Sequence, residues 1–332
     1  MMGLSFPVLL LLVIGFFFGW LLLLKFKLLF ISLLALILGY KSIAVFIGFN
    51  APVSFTTQKQ TGAIRVVSWN VARFIELARN NNAGSNTRKK MLALLKEQKA
   101  DILCLQEFHT SENPGFYNNI RAIREELGFS YHYFPYDKDG DRNYYSSVIF
   151  SRFPIVDSAL LRYPRPSQPE VLVQADIQVN NDTIRVFTTH LQSQRFDKLD
   201  YARMQKIKSR EDSLVYHSIP IVAKLKRGIV IRSIQADIIG EVRSNSPYPV
   251  LFTGDLNDVP NSYTYFKVRG ELRDAFLEKG YGLGRTFRGL SPTLRIDYIF
   301  SDARFSVAQF KREKKNYSDH YMLVADLQLN NP

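Results

Sequence analysis

The stretch Val250-Leu251-Phe252-Thr253-Gly254-Asp255-Leu256-Asn257-Asp258 ends an apolar run in an acid, an amide and a second acid. Asp255 and Asn257 are two apart, so on extended backbone they project from the same side. Such a pair can grip a phosphate, a water molecule or a metal ion. Turn formation is the plainer reading, because Asp and Asn favour turns and Gly254 helps the chain bend. Asp258 reads as a local turn residue on either account. Other apolar runs end in a similar way. Arg65 to Asn70 closes on an amide, Ile102 to Glu107 on an acid, and Val186 to His190 on a histidine. Arg295-Ile296-Asp297-Tyr298 sets an acid within an apolar segment, and Ser318-Asp319-His320 sets an acid and a histidine just before the last one. Each alone is explained by a turn, a surface ion pair or a core histidine. Together, polar residues at the ends of neighbouring strands can converge on one rigidly held pocket. His109, His132 and His217 lack such a setting and are read as structural.

Strands are needed to carry these ends. Alternation and β-rich composition predict them over 64–71, 101–108, 130–136, 145–151, 155–163, 171–179, 183–191, 248–253, 294–301, 306–310 and 322–329. Helical spacing appears over Thr87 to Lys99, with Thr87 as N-cap, and over Tyr117 to Leu127, with Gly128 ending it. Many strands with a few helices between them predict two packed sheets flanked by helices. Leu199 to Ser244 also has helical spacing and holds nine Lys or Arg. It reads as a pair of scaffold helices with a solvated basic face, or as a basic wall beside the substrate site.

The motifs Ser68-Trp69-Asn70, Leu105-Gln106-Glu107, Thr189-His190-Leu191, Gly254-Asp255-Leu256-Asn257, Arg295-Ile296-Asp297-Tyr298 and Ser318-Asp319-His320, in that order, resemble the endonuclease/exonuclease/phosphatase superfamily. The stretch Ser147 to Ile155 also matches its pattern. The resemblance covers about residues 64–332. It implies a four-layer α/β/β/α sandwich and divalent-metal-dependent hydrolysis of a phosphate ester. Glu107 is then a hard oxygen ligand suited to Mg²⁺ or Mn²⁺, with Asn70 and Asp319 beside it. Asp255 orients or activates the attacking water, and Asn257 holds a phosphate oxygen. His190 and His320 bind the phosphate and share proton transfer, without an assignment of acid and base. Asp297 hydrogen-bonds His320 and favours its imidazolium form. The substrates implied are phosphodiesters, nucleic acid among them; the alternative is a lipid or sugar phosphate. A membrane-anchored binding module without catalysis is disfavoured, because every position the chemistry needs is filled.

The first 49 residues differ from the rest. Leu4 to Leu24 and Leu28 to Phe49 are apolar runs separated by Lys25-Phe26-Lys27. About 20 apolar residues span a bilayer as a helix, so this predicts a two-helix transmembrane hairpin. A cleaved signal peptide fits poorly, lacking a basic region ahead of the first run and a small-residue cleavage site after it. Basic residues near spans prefer the cytoplasmic side, which places the Lys25/Lys27 turn inside and the catalytic domain outside the cytoplasm; Lys41, Lys59 and Arg65 weigh against this. Residues 50–63 read as a linker and 64–332 as the catalytic domain. The chain carries a net charge of +13; four lysines precede the domain, so +9 belongs to it. That charge suits anionic partners, and the anchor implies a lipid bilayer; no protein partner is indicated. The one cysteine, Cys104, sits in an apolar run and reads as a small buried hydrophobe.

Overall fold

The computed structural model describes residues 2–78, 86–164, 170–194, 196, 199–200, 202–204 and 214–330. Three helices come first: α1 (Met2–Leu22), α2 (Phe26–Leu38) and α3 (Tyr40–Phe46). They are followed by β1 (Gly48–Phe49), β2 (Ala63–Asn70), α4 (Thr87–Gln98), β3 (Ile102–Ser111), α5 (Asn119–Leu127), β4 (Tyr131–Tyr133), β5 (Asn143–Ser151), β6 (Ile155–Arg162), β7 (Val171–Val179) and β8 (Asp182–His190). The remainder comprises α6 (Leu214–Ser244), β9 (Val250–Asp255), α7 (Tyr263–Arg269), β10 (Arg273–Asp274), α8 (Ala275–Lys279), β11 (Tyr281–Gly282), β12 (Asp297–Ser301), β13 (Phe305–Glu313) and β14 (Met322–Leu329).

Twelve strands form two mixed six-stranded sheets, ordered β13-β14-β2-β3-β5-β4 and β10-β12-β9-β8-β7-β6. The period-two alternation of the strands decides the layers. Val66, Ile102 and Cys104 point between the sheets, against Val173, Val186 and Leu251. Their neighbours Val67, Trp69, Leu103 and Leu105 point the other way, under Met91 and Leu95 of α4 and Ile123 of α5. On the second sheet, Phe187, Phe252 and Phe300 face outward under Ala236 and Ile239 of α6 and Tyr265 and Val268 of α7. Two mixed sheets flanked by helices are therefore what the alternation builds. Cys104 lies in the inter-sheet core, where burial pushes its thiol up to about 12 and leaves it unreactive.

Several expectations are corrected. Thr87 does not cap α4: the cap position is Asn86, in a left-handed conformation, and the Thr87 amide is taken by Glu76 Oε1 at 2.7 Å. The strand expected over 130–136 shrinks to Tyr131–Tyr133. Asp297 opens β12 rather than lying within a strand. In the basic segment the described residues 199–200 and 202–204 are helical and Leu214–Ser244 forms the 31-residue helix α6, in keeping with a helix pair; residues 205–213 between them lie outside the described residues.

At the N-terminus, Gly3–Leu22 is long and apolar enough to cross a membrane. The second apolar run is not one straight helix. It breaks at Gly39 into α2 and α3, bent by 60°, and the 13 residues of α2 reach only about 20 Å of the roughly 30 Å of a hydrocarbon core. Lys59 and Arg65, expected near the membrane, belong to the domain's own ion pairs. Lys59 meets Asp101, and the buried Arg65 forks onto Asp326 at 2.7 and 2.8 Å.

Candidate active site

The site is built where one end of each sheet comes together. In the second sheet three of its acids and bases form a row. His190, the last residue of β8, is paired in register with Asp255, the last of β9, and Asp255 with Asp297, the first of β12. Gly254 makes this row possible. A Cβ there would lie 2.3 Å from the Thr189 carbonyl oxygen, so only glycine allows β9 to approach β8 so closely. The glycine of this motif thus serves strand packing, not the bend suggested by its neighbours.

The first sheet supplies the facing side. Asn70 ends β2. Glu107 sits on β3 where the pairing with β5 shifts register between Leu105 and Phe108, and its φ is +49°. A bulge re-aims a side chain in this way, and here it turns Glu107 toward the pocket. Beyond Asn70, Ala72, Arg73, Phe74 and Ile75 all have left-handed φ, between 43° and 64°. That strained run brings the Arg73 guanidinium over the Tyr145 ring at 4.2 Å. His320 lies on the loop before β14. The loop is clamped to β2 by Trp69 Nε1 donating to the His320 carbonyl (3.0 Å) and Ser318 Oγ donating to the Asn70 carbonyl (2.8 Å). Beneath the site, Gln106 Nε2 of β3 donates to Thr188 Oγ1 of β8 at 2.9 Å and ties the sheets together.

The side chains then meet. His320 Nδ1 lies 2.9 and 3.0 Å from the two Asp297 oxygens, and its Nε2 faces Asp255 at 3.6 Å. Burial alone would depress the imidazole, but Asp297 and Asp255 outweigh it and push His320 up to about 10. It is therefore an imidazolium at neutral pH. The Asp255 carboxyl is pushed above the usual carboxylate range, first by burial and then by the negative charge of Asp297. Asp255 Oδ1 accepts from the Asn257 amide at 2.8 Å, and Oδ2 from Asn70 Nδ2 at 3.1 Å. Asn257, also left-handed at φ +49°, donates its Nδ2 to the Leu191 carbonyl and to His190 Nε2, each at 2.9 Å. The Leu191 bond sets the amide's orientation, so His190 Nε2 is an acceptor and its ring proton belongs on Nδ1. His190 Nε2 also lies 3.6 Å from Glu107 and 3.7 Å from Asp255.

Thus Asn70, Glu107, His190, Asp255, Asn257, Asp297 and His320 form one connected cluster. Asp319 lines the same pocket, but its carboxylate accepts from Ser318 Oγ at 3.2 Å and its carbonyl from the Arg288 amide at 2.8 Å. Of the three histidines set aside, His109 is buried and His132 stacks on Phe150 at 5.7 Å; the side chain of His217 lies outside the described residues. Asp258 is more than a turn residue. It is buried, and its Oδ2 accepts from Arg232 Nε of α6 (3.1 Å) and from Thr264 Oγ1 (2.9 Å). α6 does border the pocket, through Leu225 and Arg232, but the Arg232 charge is spent on Asp258. Arg203 pairs with Asp200, and Lys206 and Lys208 lie outside the described residues. No motif or spacing pointed to Tyr145 and Glu170, which line a pocket with Glu107 and His190.

The donor set can be tested against a divalent cation. Glu107, Asp255, Asp258 and Asp319 line the pocket, and only Asp258 has a guanidinium partner there. A phosphate would be repelled from such a pocket unless a cation joined it. Asp255, Asp297 and His320 bring ligand atoms within 4.8 Å of one another. That group is already satisfied internally, because His320 Nδ1 engages both Asp297 oxygens. Glu107, the less buried hard oxygen donor, fits a cation better. Asn70 turns its amide nitrogen to Glu107, donating to Oε1 at 3.0 Å, while its Oδ1 accepts from the Ala72 amide at 3.0 Å and keeps a second lone pair.

Residues 67–320 match the endonuclease/exonuclease/phosphatase family. The chain belongs to that family. Solved structures share the fold at low identity. An endonuclease/exonuclease/phosphatase from Beutenbergia cavernae is 19% identical with a TM-score of 0.58, over 82% of this chain and 72% of that one. TDP2 of D. rerio, complexed with a single-strand DNA product, is 16% identical with a TM-score of 0.53, over 80% and 99%. The human Nocturnin catalytic domain with bound sulfate is 17% identical with a TM-score of 0.52, over 82% and 97%. No curated protein sequence matches the chain.

Proposed function

We propose that this family member hydrolyses phosphate diesters with the help of Mg²⁺ or Mn²⁺. The observation that carries the reading is the row His190–Asp255–Asp297 with His320 laid across it, an acid–base set gathered from both sheets around one pocket. His320, held as imidazolium by Asp297, binds a phosphate oxygen and donates the proton the leaving alcohol needs. Asp255, made more basic by burial and by Asp297, positions the attacking water and accepts its proton. Asn257 holds a second phosphate oxygen and keeps His190 oriented, with Nε2 turned into the site. Glu107, Asn70 and Asp319 are the residues that would hold the metal ion, and the chemistry it would supply there is Lewis-acid neutralisation of phosphate charge.

The catalytic unit in this proposal runs over 64–332, behind an anchor at 1–49 and a linker at 50–63. In this proposal α2 returns the chain through a locally thinned bilayer, α3 turns off it onto the domain, and the Lys25/Lys27 turn faces the cytoplasm, leaving the catalytic unit outside. A reporter that works only in the cytoplasm, fused after Pro332, should be silent. Nucleic acid as substrate is supported by the domain's positive charge and by the DNA product bound to the D. rerio neighbour. Lipid phosphate is supported by the apolar side of the pocket. The activity itself is tested with the full chain in detergent and Mg²⁺, against bis(p-nitrophenyl) phosphate. His190→Ala and His320→Ala should each lower turnover about a hundredfold or more with the fold retained. Near-normal turnover in either variant removes that residue from the mechanism.

A further inference from the structure

The pocket that holds the catalytic groups, a cavity of about 290 Å³, has two unlike sides. Its inner side carries the carboxylates and histidines described above. The rest of the lining is largely apolar, with Leu4, Phe196, Leu225, Phe287, Leu290 and Leu294 beside Ser193 and Gln194, and Leu4 and Leu290 are exposed. Leu4 comes from the first turn of α1, the helix long and apolar enough to cross a membrane.

The helices are fixed in that place by specific packing. A Cβ on Gly3 would lie 3.0 Å from the backbone of Asn261, so glycine lets α1 settle directly on the loop after β9. Asn261 Nδ2 donates to the Ser42 carbonyl of α3 at 3.0 Å. The buried Arg295, two residues before Asp297, donates to the Val45 carbonyl. Phe6 of α1 meets Phe46 of α3 edge-on at 5.3 Å. The loops that hold Asn257 and Asp297 thus also hold the apolar helices. Leu290 is an independent sign. It is 57% exposed at the pocket rim with a left-handed φ of +59°, an apolar side chain kept in water at a backbone cost. A groove for a nucleic acid strand would offer unpaired cations along this rim, whereas its two aromatic rings, Phe196 and Phe287, suit an apolar tail as well as a base. Among the described lining residues the one arginine is already paired with Asp258.

We infer that the first turn of α1 is a wall of the substrate pocket, and that the pocket takes phosphate esters whose apolar tail lies in the bilayer. The inference rests on the hydrolase reading above and names its substrate class. The phosphate sits among His190, Asp255 and His320, and the tail runs out past Leu4 and Leu290 along α1. Water bonds to phosphorus, one P–O ester bond breaks, and the leaving alcohol takes the proton from His320. The other ester oxygen stays on the phosphate.

The test uses the full chain in detergent with Mg²⁺ and two substrates that share a leaving group, methyl and octyl p-nitrophenyl phosphate. The octyl ester should show a kcat/KM at least about tenfold above the methyl ester, the discrimination an apolar wall supplies. Leu4→Ser and Leu290→Ser should each cut that ratio several-fold, mainly through KM. Gly3→Leu, which pushes α1 off the Asn261 loop, should do the same. An equal kcat/KM for the two esters, a ratio unchanged in all three variants, or preferential cleavage of a single-stranded oligodeoxynucleotide overturns the inference and leaves the hydrolase reading standing. Hydrolysis of neither ester overturns both.

Discussion

Asp255 and Asp297 face each other in register across β9 and β12, two buried carboxylates joined through one imidazolium. The negative charge of Asp297 raises the proton affinity of Asp255, and His320 between them is what makes the pair tolerable. Asp297 therefore raises both titrating partners, Asp255 and His320. Activity that needs Asp255 ionised is lost as pH falls through a value above the usual carboxylate range. Activity that needs His320 protonated is lost as pH rises through about 10. Asp297→Asn should move both limbs of the kcat/KM profile to lower pH, which a pH series on the variant measures. A profile that keeps its alkaline limb would show that Asp297 does not hold the proton on His320.

The same pair makes a stability prediction. An unfolded imidazole titrates near about 6.5. The folded value is higher, so the His320 contribution is complete below the unfolded value and disappears as pH rises through about 10. Urea midpoints should show Asp297→Asn to be more destabilising at pH 6 than at pH 10. Equal losses at both pH values would contradict the imidazolium assignment.

Gly254 is predicted to be intolerant of any side chain. Gly254→Ala must displace either β8 or β9 and should cost about 1–3 kcal/mol, read as a lower urea midpoint with an unchanged slope. The His190–Asp255 register would shift with it, so turnover should fall further than stability. A variant of ordinary stability would mean that the strand separation adjusts freely.

Metal removal should abolish activity, and Mg²⁺ or Mn²⁺ should restore it. Glu107→Gln keeps the size of the side chain and removes its charge, so it should raise the Mg²⁺ concentration needed for half-maximal rate by about tenfold or more. The shift of thermal midpoint produced by Mg²⁺ should shrink in parallel, a readout that does not depend on turnover. Full activity in chelator would rule the cation out.

Much of the site was legible because strands that bury both faces leave little reason for a polar last residue. Asn70, His190 and Asp255 are in that position, and their order along the chain carried the family resemblance. Two packed sheets flanked by helices were legible from many strands with a few helices between them, and the four-layer order was implied by the family resemblance; which face Val66 and Val67 or Leu103 and Cys104 take is visible only in the fold, because all four are apolar. What was hidden depends on distance in sequence. Asp258 looked like a turn residue because Arg232, its partner on α6, is 26 residues away. Glu107 owes its direction to a bulge, which no local pattern announces. Thr87 lost its expected capping role to Glu76, eleven residues upstream. The break between α2 and α3 at Gly39, followed by Tyr40 and Lys41, was masked by the apolar residues on either side of it. Leu4 could not be placed at the pocket, because only the docking of Gly3 against Asn261 puts it there.

In the proposed reaction water attacks phosphorus at the centre formed by His190, Asp255 and His320. Hydrolysis of bis(p-nitrophenyl) phosphate by the full chain in ¹⁸O-labelled water, with Mg²⁺ present, tests it most directly. The account predicts one ¹⁸O in the p-nitrophenyl phosphate product and none in the p-nitrophenol, with release slowed about a hundredfold or more in Asp255→Asn. Label in the phenol, or an Asp255→Asn variant as fast as the parent chain, would contradict it.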